Sequence, residues 1–210
     1  MRTIPNVQSI FPQQVEVEKM MVCLVDRSGS MEGSKEKSAT QFVRDAFKLA
    51  KSEGFTAFKV VEFSTLLNHC SNKFYDLSKS FDWNSKSSNG KTPLYISISQ
   101  LITSLKDYTG KVLINVISDG EDTEGGLKYV KMRIEEFIES GQTITFICVE
   151  KDKINFIKIG VPESNIQTYD NTGKGIENSF RVYKDAVSNY SKSVAEGEDV
   201  TRGFYKSVKN

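Results

Sequence analysis

The hydrophobic and polar residues of this chain alternate between short apolar runs and longer segments with helical periodicity. Six strands are predicted, three of them almost wholly apolar, at residues 20–25, 111–117, 143–149, 57–63, 166–169 and, as a polar edge strand, near 74–77. Four helices are predicted from apolar residues at helical spacing, over residues 39–47, 94–105, 127–138 and 180–194. Strands that alternate with helices indicate an α/β fold with a mostly parallel sheet.

Glycines support these boundaries. Gly54, Gly110 and Gly141 each follow one of the predicted helices, where a left-handed cap is expected. The apolar stripe of the last helix is assigned to core packing. We therefore expect one domain over residues 19–195, an N-terminal arm over 1–18 and a C-terminal tail over 196–210, which either stays mobile or docks through Phe204 and Tyr205.

Composition limits the classes of partner. The 28 Lys and Arg residues nearly balance the 27 Asp and Glu residues, so no global field would draw the chain to nucleic acid or to anionic membranes. Neither end has the apolar run of a membrane span or the layout of a signal peptide, which predicts a cytoplasmic protein. Binding is therefore expected to come from a defined site.

Cysteine and histidine usage narrows the chemistry of that site. Cys23, Cys70 and Cys148 are odd in number and widely spaced, and Cys23 and Cys148 lie in apolar runs, which favours reduced, buried thiols. The single histidine, His69, excludes any site that needs a pair of histidines and is assigned to a surface loop. Any metal site in this chain is therefore expected to use oxygen ligands.

Oxygen-bearing side chains gather where predicted strands end. Asp26, Ser28 and Ser30 come directly after the first buried strand, Asp119 follows the strand at 111–117, and Thr92 lies in the loop before a helix. In an open α/β sheet, ligands collect at the carboxyl ends of the strands. Three hydroxyls and two carboxylates around one point would form an all-oxygen shell, which suits a hard cation such as Mg²⁺ and disfavours zinc or copper.

These residues resemble the metal-ion-dependent adhesion site (MIDAS) of the von Willebrand factor A (vWA) domain family. The family pattern is Asp-x-Ser-x-Ser, then a distant Thr and a distant Asp, and Asp26, Ser28, Ser30, Thr92 and Asp119 match it in identity and order. The likeness covers roughly residues 18–195. It implies a Rossmann-like three-layer αβα sandwich with one antiparallel edge strand.

The resemblance also implies roles for the five residues. Ser28 and Ser30 would bind the metal directly, Thr92 would do so in the ligand-ready state, and Asp26 and Asp119 would act mainly through waters. The implied metal is Mg²⁺ or Mn²⁺, with Ca²⁺ less well suited. A protein partner would then supply an Asp or Glu carboxylate to the ion, so the implied function is non-catalytic binding.

Within the family, the expected type is a stand-alone intracellular one. The chain lacks a disulfide framework, which disfavours an extracellular adhesive role. Family members of this type occur in bacteria and phages, often beside ATPase or stress-response systems, which suggests a partner in such a complex.

Alternative interpretations of the site remain open. Residues 26–30 alone could form a simple turn or helix cap. A haloacid-dehalogenase-like Mg²⁺-dependent phosphatase would loosely match Asp26, Thr92, Lys111, Asp119 and Asp122. That chemistry needs an acid two residues after the nucleophile, where this chain has Ser28, and Lys111 would start a buried strand. A metal-free assembly domain is the third alternative.

Two further features flank the predicted site. Glu121, Asp122 and Glu124 follow Asp119 and form either a solvated turn or an acidic rim that selects a basic partner. Trp83 precedes the Thr92 loop and is assigned to packing, with a partner contact as the alternative.

Overall fold

The computed structural model describes residues 18–65, 72–119, 122–206 and 208. Its strands are β1 (Lys19–Asp26), β2 (Ala57–Phe63), β3 (Asn72–Tyr75), β4 (Lys111–Ile117), β5 (Thr143–Val149) and β6 (Ile166–Tyr169). Its helices are α1 (Ser34–Ser52), α2 (Leu94–Ser104), α3 (Leu127–Glu139), α4 (Lys153–Lys158) and α5 (Gly173–Ala195). The strands form one sheet in the order β3-β2-β1-β4-β5-β6, and β3 alone among these strands is antiparallel to its neighbour.

Helices cover both faces of the sheet. Helices α1 and α5 pack on one face, where Phe42 contacts Phe180 and Tyr183 ring to ring. Helices α2, α3 and α4 pack on the other face, where the rings of Phe156 and Phe146 pack at a tilted angle with their centres 4.5 Å apart. The predicted three-layer αβα sandwich is confirmed, and burial of both sheet faces explains why β1, β4 and β5 are mostly apolar.

The register of the central strands places the predicted site. Strands β1 and β4 are adjacent and parallel, and Val25 pairs with Ile117. The residues that follow these two positions, Asp26 on one strand and Ser118 and Asp119 after the other, therefore leave the sheet side by side at its carboxyl edge.

Some boundaries differ from the sequence prediction. The edge strand runs over Asn72–Tyr75 instead of residues 74–77, because it pairs with β2 through Val61 to Phe58. Gly54 and Gly141 have the expected positive φ, but Gly110 does not. A β-carbon at Gly110 would instead lie 2.6 Å from the backbone oxygen of Glu18, so close backbone approach requires this glycine.

The C-terminal segment packs on the α5 face. Phe204 is 5% exposed and its ring lies about 6 Å from those of Tyr183 and Tyr190. The amides of Gly203 and Phe204 donate to Oδ1 of Asn165. The sequence left two alternatives for residues 196–210, a mobile tail or docking through Phe204 and Tyr205. In the described part of this segment, Phe204 docks on the domain.

The buried thiols agree with the sequence prediction. Cys23 and Cys148 are both free and buried, while Cys70 and His69 lie outside the described residues, as does nearly all of the predicted N-terminal arm. None of the helices that the structure describes is long and apolar enough to cross a membrane.

Candidate metal centre

Asp26 ends β1 and is fully buried at the carboxyl edge of the sheet. Its Oδ1 accepts a 2.7 Å hydrogen bond from the amide of Ser28, and its Oδ2 accepts a 2.6 Å bond from the hydroxyl of Ser118. Burial raises the pKa of Asp26 to about 6, although these hydrogen bonds lower it, and the charge of Asp119 raises it further. A nearby cation would favour the charged form of this carboxyl group.

Three other predicted residues are joined by a chain of side-chain hydrogen bonds. The hydroxyls of Ser28 and Ser30 lie 3.0 Å apart, and the hydroxyl of Ser30 donates to Oδ1 of Asp119 at 2.7 Å. Ser28 and Asp119 are buried, whereas Ser30 is exposed. The hydrogen-bonded group of Ser28, Ser30 and Asp119 is therefore anchored by two buried residues and open to solvent at Ser30.

Backbone contacts place the loop that carries Thr92 beside this group. The carbonyl of Gly90 accepts from the amide of Gly29 at 2.9 Å, and the amide of Asn89 donates to the carbonyl of Arg27 at 2.7 Å. Thr92 itself is 5% exposed and exchanges backbone and side-chain hydrogen bonds with Thr123. Thr92 therefore lies in a loop that contacts Arg27 and Gly29, but no described hydrogen bond joins it to Ser28, Ser30 or Asp119.

A buried ion pair that the sequence analysis missed supports both loops. Arg27, between the two predicted ligands, lies with Nε 2.8 Å from Oε1 of Glu62, and both side chains are almost fully buried. The same Oε1 accepts from the amide of Lys86, and Glu36 accepts from the amide of Ser88. Long-range pairing carries no sequence signal beyond two charges in apolar surroundings, so only the structure shows this support.

Trp83 is part of the same support. Its side chain is 3% exposed, and the Arg27 guanidinium lies 5.5 Å from its ring centre. The packing role predicted for Trp83 is therefore what the structure shows.

Lys35 is a second residue that the sequence analysis missed. Its ammonium donates to Oδ2 of Asp119, and Oδ1 of Asn171 lies 3.3 Å away. Oδ1 of Asp119 already accepts from Ser30, so this carboxylate holds a hydroxyl on one oxygen and a cation on the other.

The acidic residues after Asp119 have mixed roles. Asp122 accepts from the amide of Tyr95 at 2.9 Å and from the amides of Glu124 and Gly125, so it caps the start of α2 and shapes its own turn. Glu124 lies 3.6 Å from the ammonium of Lys91. Glu121 lies outside the described residues.

The donor set fits a hard cation bound mainly through hydroxyls. Among the described residues, no three His, Cys, Asp or Glu side chains form a group that could hold a metal ion. The site at the end of β1 instead combines the carboxyl groups of Asp26 and Asp119 with the hydroxyls of Ser28 and Ser30, beside the loop that carries Thr92. The ammonium of Lys35 already pairs with Asp119 there.

Lys111 does not take part in this site. Its ammonium donates to the carbonyl of Gly141 at 2.9 Å, at the end of the sheet where β4 begins. Lys111, the lysine that a haloacid-dehalogenase-like phosphatase would need, therefore lies at the amino ends of the strands, whereas Asp26 lies at their carboxyl ends.

The sequence matches no protein-family model and no curated protein. Its structure is similar to proximal thread matrix protein 1 (PTMP1) from the mussel byssus, with a TM-score of 0.57 and 16% identity over 82% of this chain and 49% of that one. It is also similar to the ArnB paralog VWA2 from Sulfolobus acidocaldarius, with a TM-score of 0.57 and 16% identity over 80% of this chain and 45% of that one. A further match is the PilB minor pilin from Streptococcus sanguinis, with a TM-score of 0.53 and 12% identity over 89% of this chain and 63% of that one.

These likenesses define the class of fold. The chain has the fold of vWA domains, and it spans about half the length of the first structures that it matches. One PTMP1 structure has a zinc-occupied MIDAS motif, so a divalent ion binds at that motif in that protein. At these identities the comparisons show the fold alone.

Proposed function

We propose that this chain is a non-catalytic protein-binding module that holds a divalent metal at the site formed by Asp26, Ser28, Ser30, Thr92 and Asp119. The observation that carries the proposal is the hydrogen-bonded chain from Ser28 through Ser30 to Asp119, beside the buried carboxyl group of Asp26. A mere turn or helix cap would not need the carboxylate of Asp119, which follows β4 and lies 89 positions away in sequence, to meet the Ser30 hydroxyl.

The proposed division of roles is the one that the resemblance to the MIDAS implies. Ser28, Ser30 and Thr92 would hold the ion through neutral hydroxyls, while Asp26 and Asp119 would act through waters. When bound, an ion with mainly neutral direct ligands keeps enough positive charge to attract a carboxylate. Ser30 is exposed, so an Asp or Glu side chain of a partner protein can approach from that side.

Mg²⁺ is the proposed physiological ion, with Mn²⁺ as a substitute. Hydroxyl, carboxylate and water oxygens are the ligands that hard cations prefer. The zinc found in a PTMP1 structure supports binding of a divalent ion by this kind of site and leaves the choice of ion to experiment.

Two observations favour binding over phosphatase chemistry. Ser28 stands where the general acid of such an enzyme would be, and a serine hydroxyl cannot take that role at neutral pH. Lys111 is engaged at the other edge of the sheet. We further propose that the chain works in the cytoplasm with a partner from an ATPase or stress-response complex of bacterial or phage type.

Calorimetric titration of the chelator-treated protein with Mg²⁺ and Mn²⁺ tests the metal site. The wild type is expected to show saturable binding that Ser28→Ala abolishes, whereas Ser87→Ala, at an exposed serine in the loop that leads to Thr92, keeps it. An acidic peptide library added afterwards is expected to bind only with metal present. Unchanged metal binding in Ser28→Ala would refute the site, and peptide binding in chelator would refute the role of the metal.

A further inference from the structure

The Lys35 side chain reaches into the proposed metal site from helix α1. Lys35 is the second residue of α1, and its ammonium contacts Oδ2 of Asp119 and Oδ1 of Asn171. The Asp119 side chain is 1% exposed, whereas that of Lys35 is 17% exposed. A partly accessible cation is therefore paired with a buried carboxylate that also belongs to the predicted metal ligands.

Helix electrostatics do not explain the location of this ammonium. The first turn of a helix carries partial positive charge and favours acidic residues, as Glu36 illustrates in the same turn. A lysine in this turn is disfavoured unless its side chain meets an anion elsewhere. Asp119, from the far side of the β1–β4 pair, supplies that anion.

Both carboxylate oxygens of Asp119 already have partners within the protein. One oxygen of Asp119 accepts from Ser30, and the other accepts from Lys35. A divalent ion near Ser28 and Ser30 would share this carboxylate with the ammonium. Because Asp119 is buried, solvent would screen the repulsion between the two cations only weakly.

Lys35 is less enclosed than Arg27, the other cation near the site. Arg27 is fixed by Glu62, by Thr40 and by the ring of Trp83, and its side chain is 2% exposed. Lysine has a flexible four-carbon stem and a compact, strongly hydrated charge. Its partial exposure gives the Lys35 ammonium a route to solvent that Arg27 lacks.

From these contacts we propose that Lys35 competes with the divalent ion for Asp119 and thereby sets the metal affinity of the site. The ion pair stabilises the metal-free protein, and metal binding displaces the ammonium towards solvent. The proposal rests on the metal site proposed above, and it adds a residue outside the five-residue pattern as the one that determines affinity.

The test is calorimetric titration with Mn²⁺ of the wild type and of three variants after chelator treatment. Lys35→Met keeps the length of the side chain without its charge and is expected to bind Mn²⁺ about tenfold more tightly. Lys35→Arg retains the charge and is expected to stay close to the wild type. Lys37→Met removes an exposed charge from the same helical turn and is expected to leave the affinity unchanged.

Thermal unfolding of the same proteins supplies a readout of opposite sign. In chelator, Lys35→Met is expected to unfold at a lower temperature than the wild type, because Asp119 loses its counterion. In saturating Mn²⁺ that difference is expected to vanish or reverse. A purely structural role would lower the unfolding temperature equally in both conditions. Lys35→Gln provides the same comparison if Lys35→Met does not fold.

The outcomes separate this proposal from the metal site itself. If the wild type binds Mn²⁺ and Lys35→Met binds it equally or more weakly, the competition is refuted while the site stands. If Lys35→Met binds Mn²⁺ and the wild type does not, the competition is supported in its strongest form. If neither protein binds Mn²⁺, the metal site is refuted and the competition with it.

Discussion

The hydroxyl of Ser30 donates a 2.7 Å hydrogen bond to Oδ1 of Asp119, which joins the turn after β1 to the turn after β4. The bond forms because the two strands are adjacent and parallel, so residues that follow them leave the sheet at the same edge. A substitution at Asp119 therefore tests whether the turn after β4 contributes to metal binding.

Replacing Asp119 with Asn removes a negative charge from the site and keeps the shape of the side chain. We expect Mg²⁺ and Mn²⁺ affinity to fall by about 10- to 100-fold, as for other residues that act on a metal through an intervening ligand. Circular dichroism should show an intact fold. Asp107→Asn, at an exposed carboxylate beyond α2, is the matched control, and an equal loss of affinity in that variant would contradict the assignment.

The buried pair of Arg27 and Glu62 is expected to dominate the stability of the site. Glu62→Gln would leave the Arg27 guanidinium buried without a counterion and should lower the free energy of unfolding by about 3–5 kcal/mol. Glu135→Gln, which breaks an exposed pair with Lys131, should change it by less than about 0.5 kcal/mol. Urea denaturation of both variants measures the difference, and similar small effects would contradict the supporting role.

The sequence predicts the elements of the fold but not the pairing of Arg27 with Glu62. The apolar runs and helical stripes predict the order of elements, because burial on both faces requires almost continuous apolar strands. They do not reveal that Arg27 meets Glu62, since any acidic residue on a neighbouring strand would look the same in sequence. The predicted edge strand at 74–77 begins two residues later than the observed one, because a four-residue edge strand with three exposed residues has little apolar pattern.

The site shows the same division. The five predicted site residues lie at or just after the ends of strands, or in a loop between elements, and their short oxygen-bearing side chains mark them in the sequence: Asp26, Ser28, Ser30, Thr92 and Asp119. Supporting residues carry no such mark, because Lys35 and Ser118 depend on distances across the sheet edge. The identity of the metal, the partner and the compartment stay predictions.

The thiols of Cys23 and Cys148 are expected to be inert in the native protein. Burial raises the pKa of Cys23 far above its usual range and that of Cys148 to about 12, so neither thiol forms the reactive thiolate near neutral pH. In a Cys70→Ser background, a disulfide reagent at pH 8 should label neither thiol until denaturant is added, when both should react. Rapid labelling of the native protein would contradict the described burial.

Docking of the C-terminal segment should contribute to stability. Phe204→Ala would leave a cavity beside Tyr183 and Tyr190 and is expected to lower the free energy of unfolding by about 3–5 kcal/mol. Ile154→Ala, at a residue that is 54% exposed, is the control and should have a far smaller effect. Equal unfolding midpoints for Phe204→Ala and the wild type would show that the segment does not dock in solution.

The central claim is that one divalent ion is held at the carboxyl edge of β1 and β4. Anomalous diffraction from crystals grown with Mn²⁺ and free of chelator tests it most directly. The account predicts a manganese peak in contact with the hydroxyls of Ser28 and Ser30 and near Thr92, Asp26 and Asp119, and the absence of that peak in Ser28→Ala. A manganese peak elsewhere on the molecule, or none at this edge, would contradict it.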